Sequence, residues 1–118
     1  MQATTSNQQL PLTPAVFHIL LALMDRERHG YGIMKEVEAQ TEGEMVLRAG
    51  TLYQAIKRML DAGLVEETAD RPDPKLDDER RRYYRISGLG RKVASAEVAR
   101  LHKLLRLARN KQVTASTA

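Results

Sequence analysis

The feature that most restricts this chain is an apolar stripe near its C-terminal end. Ala94, Val98, Leu101, Leu105 and Ala108 are spaced 4, 3, 4 and 3 residues apart, the a/d rhythm of a coiled-coil seam. Leu104 and Leu107 widen the stripe. It lasts about two heptads, too short to pair stably as an isolated coil. A helix over 88–109, capped by Ser87, therefore needs a surface to pack on. Two are available: a second copy of the chain, or the chain's own first helix. A chain of 118 residues builds one small core, and the elements upstream of the stripe account for it. A second copy is the simpler partner.

Upstream, Thr13-Pro14 opens the first helix, Thr13 as cap and Pro14 at the first helical position. Val16, Phe17, Ile19, Leu20, Leu21, Leu23 and Met24 make it apolar almost all round, so it should be buried. The charged turn Asp25-Arg26-Glu27-Arg28 ends it. His29-Gly30-Tyr31-Gly32 opens a second helix to about Gln40, stopped by Thr41-Glu42-Gly43. Met45-Val46-Leu47 reads as a minor strand or an extended link. Ala49-Gly50-Thr51 starts a third helix, with Leu52, Ile56, Met59 and Leu60 as its core stripe and Gly63 as its stop. Leu64–Thr68 and Arg81–Ile86 read as two strands of a hairpin around a Pro-rich acidic tip. Alternation puts Tyr84 and Ile86 toward the core and Tyr83 on the other face. The expected organisation is a frayed tail over 1–11, a domain over 12–87, a helix over 88–109 and a disordered tail over 110–118.

Charge is segregated. Residues 1–79 hold 8 Lys/Arg against 14 Asp/Glu, whereas residues 80–111 hold 11 Lys/Arg and one acid, Glu97. Clustered positive charge draws polyanions, although a solvated helix face has the same composition. Cys is absent, which excludes disulfides, thiolate metal sites and a Cys nucleophile. His18, His29 and His102 fall on three different elements, so neither a metal nor any other cofactor is expected. No nucleophile–base pair, phosphate-cradling loop or carboxylate couple stands out, which argues against an enzyme. No apolar run reaches the roughly 20 residues that span a bilayer, and no secretory signal is visible. A cytoplasmic protein without membrane contact is the expectation.

The order of elements is mainly α with one small β-hairpin: a helix-turn-helix followed by a basic wing. In such proteins the second helix of the pair enters the major groove, about 12 Å wide, while flanking groups hold phosphates. The residues placed to do so are Gly50, Thr51, Tyr53, Gln54, Lys57 and Arg58 on the third helix. Tyr31 and Lys35 on the second helix and Arg80, Arg81 and Arg82 on the wing complete the set. Gln54 is the candidate base reader, because an amide pairs bidentately with adenine. Against each stands a plainer reading: Tyr31 and Tyr53 pack, Gln54, Lys57 and Arg58 are merely solvated, and the arginines pair with Asp77, Asp78 and Glu79.

His29-Gly30-Tyr31-Gly32-Ile33, Gly50-Thr51-Leu52-Tyr53, Lys57–Val65, Arg82–Ser87 and Gly90, in that order and spacing, resemble the PadR family of bacterial transcriptional regulators. The resemblance spans about residues 12–108. It implies a winged helix-turn-helix with a C-terminal dimerisation helix, acting usually as a repressor on double-stranded DNA, and the single final helix is similar to the family's short-chain branch. It also implies a small aromatic or drug-like effector near the dimer interface, for which Phe17, Leu101, Leu104 and Leu105 are candidate lining residues. The homodimer seam would be Ala94, Val98, Leu101, Leu104, Leu105 and Ala108. Ser87 replaces the family's usual Thr, and the acidic tip is unusual for a wing that touches DNA. That tip and the negative first two-thirds favour a competing class, a winged-helix protein-interaction module that binds no DNA.

Overall fold

Local signals start and stop each helix in the computed structural model, which describes residues 10–68 and 82–113. Helix α1 (Pro14–Ala22) begins where the Thr13 hydroxyl accepts the Val16 N–H at 3.2 Å. It buries Ile19, Leu20 and Ala22. Arg28 closes its far end: Nε donates to the Ala22 carbonyl at 2.7 Å, and the guanidinium also faces Asp25 and Glu36. Helix α2 (Gly30–Gln40) is capped by His29, whose Nδ1 accepts the Gly32 N–H at 3.0 Å. The Gln40 amide donates to the His18 carbonyl at 2.8 Å and ties α2 to α1.

Glu42 (φ 54°) and Gly43 (φ 83°) turn the chain out of α2 through the left-handed region. Thr41 braces that turn, donating to the Val37 carbonyl and accepting the Met45 N–H. Residues 45–47 are consequently an extended link and not a strand, with Leu47 plugged into the core. Helix α3 (Ala49–Asp61) buries Leu52, Ala55, Ile56 and Met59. Gly63 (φ 78°) ends it as expected. Its N–H bonds the Leu60 carbonyl, and the Leu64 N–H bonds that of Met59 at 2.8 Å, the paired bonds of a Schellman stop.

The sheet is larger than a hairpin. Strands β2 (Val65–Thr68) and β3 (Tyr83–Ile86) pair antiparallel, and Arg28–His29, here β1, pairs on the other side of β3. Two residues are too few to show a period in sequence. Their pairing also covers Tyr83, which stands on the face opposite Tyr84 as alternation expects. It lies opposite His29, whose ring meets it edge-on at 5.2 Å, so both tyrosines are buried.

Helix α4 (Gly88–Asn110) starts at Ser87, whose hydroxyl accepts the Gly90 N–H and donates to the Gly63 carbonyl. Its first half belongs to the chain's own core: Val93, Ala94 and Glu97 are buried, and the helix packs on α1. The boundary expected at 87/88 is therefore not a break in packing. Residues 110–113 finish the helix in an ordered turn with Gln112 at φ 65°, where a disordered tail was expected. Leu10, assigned to the frayed N-terminal tail, packs against the core. The remainder of both tails lies outside the described residues.

Glu97, the one acid of the basic C-terminal stretch, is buried. Its carboxylate takes two bonds from Arg100, at 2.8 and 2.7 Å. Arg100 holds the Glu97 carboxyl below the usual carboxylate range, burial opposes this, and the nearby Leu12 backbone adds to the lowering. A carboxyl lowered on folding contributes stability that is present above its unfolded titration and is lost as pH falls through the folded one. Glu97→Gln should thus be less stable than wild type near neutral pH, and the two should converge in acid. Urea midpoints across pH check this.

Candidate nucleic-acid interface

One helical turn per 3.6 residues sorts the outer face of α3. Thr51, Gln54 and Arg58 run along one edge, Tyr53 and Lys57 along the other, and all five are exposed. Neither Lys57 nor Arg58 has an ion-pair partner among the described residues. Gly50 is open as well: a Cβ there would meet nothing within 4 Å, so the fold itself does not demand a glycine. Arg48, which sequence reasoning passed over, stands at the N-cap, exposed and without a capping bond from its side chain. Its only signal in the sequence is a cation directly ahead of a helix start.

The two tyrosines in question behave differently. Tyr31 is 56% exposed, which sets aside the packing reading. Its ring carries the Lys35 ammonium at 5.6 Å from the centroid and stacks beside His29. Tyr53 does both things. It is 48% exposed, yet its hydroxyl end lies against Gly30, where any side chain would collide with it. This wedge joins the first turn of α2, which carries Tyr31, to α3. The wing base completes the corner. The Tyr84 phenol is pushed up by burial first, then by the Glu67 carboxylate and by Tyr53. Arg82 is held by Glu67 at 3.2 Å across the hairpin. Arg80 and Arg81, with their suggested partners Asp77, Asp78 and Glu79, lie outside the described residues.

A sequence model of the transcriptional regulator PadR-like family matches residues 19–96, which covers both helices of the pair, the wing and the first half of α4. The chain belongs to the PadR-like family. The members of this family are transcription regulators, not enzymes. Among solved structures, a transcriptional regulator from Clostridium thermocellum superposes with a TM-score of 0.68 at 27% identity, covering 85% of this chain and 90% of that one. A PadR family transcription regulator from Clostridium difficile gives 0.68 at 21% identity, covering 85% and 99%. RosR of H. salinarum gives 0.60 at 26%, covering 92% and 84%. A curated protein of Lysinibacillus sphaericus, itself uncharacterised, is 32% identical over 73 residues, and the match spans 64% of its length.

In this PadR-like chain the expected seam on α4 divides in two. Ala94 is 1% exposed inside the chain's own core and offers no surface to a second copy. Val98, Leu101, Leu104 and Leu105 are exposed, and Ala108 is half-buried. Leu107, exposed too, sits with Leu104 in a shallow cleft rimmed by Arg100, Lys103 and Arg106. Of the candidate effector residues, Phe17 packs against the core from α1 while the three leucines stand on the outer half of α4. A second cleft runs from Leu12 and Val16 to Arg58 and Met59. Among the described residues there is no cluster of three metal-ligating side chains, and no helix is long and apolar enough to cross a membrane.

Proposed function

We propose that this chain is a dimeric DNA-binding transcriptional regulator that represses promoters carrying a near-palindromic operator. The observation that carries the proposal is the exposed, unneutralised face of α3, to which the Tyr53–Gly30 contact joins the first turn of α2, where Lys35 lies over the exposed Tyr31 ring. Gln54, at the middle of that face, reads base edges. Thr51, Tyr53, Lys57, Arg58, Tyr31 and Lys35 hold phosphates, joined by Arg82 from the wing and by Arg80 and Arg81 beyond the described residues. Two copies joined through Val98, Leu101, Leu104, Leu105 and Ala108 present two such faces. A two-fold pair of this kind reads half-sites about one helical turn, roughly 34 Å, apart. Repression follows from occlusion of the promoter. A small aromatic or drug-like effector at the dimer interface releases it by favouring a spacing that no longer fits the operator.

A salt titration on a fragment of the chain's own promoter tests this reading. Backbone contacts make log K fall linearly with log salt, by about 0.9 per phosphate neutralised. Binding that is absent even near ~50 mM salt would favour the protein-interaction module instead. Within the same assay, Lys57→Ala should weaken binding to operator and random duplex alike and flatten the slope by about 1. A changed sequence preference with an unchanged slope would remove Lys57 from the phosphate contacts.

A further inference from the structure

Among the described residues the hairpin carries one ion pair on each face. Glu67 lies opposite Tyr84 in the β-ladder and Glu66 opposite Arg85, and successive side chains point to opposite faces. Glu67, Tyr84 and Arg82 therefore share the face that looks toward the core and α3, while Glu66 and Arg85 share the outer face. On the inner face the Arg82 guanidinium is 3.2 Å from Glu67 Oε2 and 3.5 Å from Oε1. On the outer face Arg85 Nε is 3.0 Å from Glu66 Oε1. All four side chains are about half exposed or more, at 68% and 42% for the inner pair and 55% and 53% for the outer. The strand that carries Glu67 packs against α3.

We propose that Glu67 is a built-in competitor for the DNA backbone: it neutralises Arg82 in the free protein, and a duplex phosphate must displace it before Arg82 can bind. The inference rests on the DNA-binding reading above and adds to it a residue that lowers affinity. Carboxylate and phosphate are both anions seeking the same planar fork of donors. An exposed pair contributes little to stability, so a phosphate can replace the carboxylate. Once displaced, Glu67 faces the duplex as a like charge and draws a cation from solution. That uptake cancels the counterion that Arg82 releases from the DNA. The Arg82–phosphate contact then adds almost nothing to the salt dependence, and binding to DNA of every sequence is held down. Discrimination among sequences is left to the base-edge contacts of α3.

The test compares Glu67→Gln with Glu66→Gln, which makes the same change on the outer face. Glu67→Gln keeps the shape of the side chain and removes the competing charge. Its affinity for random-sequence duplex should rise about 3- to 10-fold, and its plot of log K against log salt should steepen by about 1. Glu66→Gln should stay within about twofold of wild type with the slope unchanged. Arg82→Ala should cost more binding in the Glu67→Gln background than in wild type, a coupling that a double-mutant cycle reads directly. Equal responses of the two Gln variants, or an unchanged slope for Glu67→Gln, would overturn the proposal while leaving DNA binding in place. A wild-type protein with no salt-dependent duplex binding would instead remove the reading beneath it.

Discussion

Leu101→Asp is expected to turn the proposed dimer into a monomer. Leu101 is 41% exposed in the single chain and lies midway along the outer stripe of α4, between Val98 and Leu105. In a two-fold pair its carboxylate would enter an apolar seam from both copies at once. Taking one unpaired ion out of water costs several kcal/mol even after relaxation, and here two like charges approach each other. Within one subunit the same side chain stands in solvent, so the winged-helix fold should be untouched. Sedimentation velocity and far-UV circular dichroism separate the two effects: the former should fall to the monomer value and the latter should retain the wild-type helix content. Losing the link between two reading faces should weaken operator binding by about 10²- to 10⁴-fold. A wild-type sedimentation coefficient for this variant would exclude the seam.

Gly90→Ala should produce the largest loss of stability that a single methyl group can cause in this chain. The added Cβ would run into the Leu64 carbonyl oxygen and come within 2.8 Å of Ile86 Cγ1. A flexible side chain could swing aside, but that carbonyl is backbone and already accepts the Ser87 N–H at 3.0 Å. The start of α4 must then lift off the joint between α3 and β2, pulling Ser87 from its bonds to Gly90 and Gly63. Overpacking of this kind costs about 1–3 kcal/mol, and the lost cap adds roughly 1 kcal/mol. For a domain of this size that lowers Tm by roughly 10 °C or more, measured at fixed protein concentration. Gly88→Ala, two residues earlier, is the control. A Cβ there meets nothing within 4 Å, and it should be neutral or slightly stabilising because alanine favours the helix over glycine.

The helices were legible because their ends are written locally. Thr13-Pro14, Gly63 and Ser87 each act within a few residues, and each performs in the structure the role its chemistry suggests. What escaped depends on partners distant in sequence. Arg28–His29 becomes a strand only because β3 arrives 55 residues later, at Tyr83 and Tyr84. Arg82 finds Glu67 through the ladder, a partner that sequence neighbours could not suggest. The stripe on α4 shows the same limit. Its spacing is continuous, so nothing in it separates Ala94, buried at home, from Leu101, left outside. The outer face of α3 was more readable than the contacts behind it. Spacing on α3 was enough to place Gln54, Lys57 and Arg58 outward, whereas the contact of Tyr53 with Gly30 needed the angle between two helices.

That contact has a bearing on how such a protein changes its targets. With the Tyr53 hydroxyl end lodged against a residue that has no side chain, the two helices approach closely at this point. In the proposed function the α3 face would be presented already assembled, and little ordering entropy would have to be supplied on docking. In the proposed function new operators would be reached by exchanging side chains such as Gln54 on a common frame, while a change at Tyr53 or Gly30 would disturb every target together.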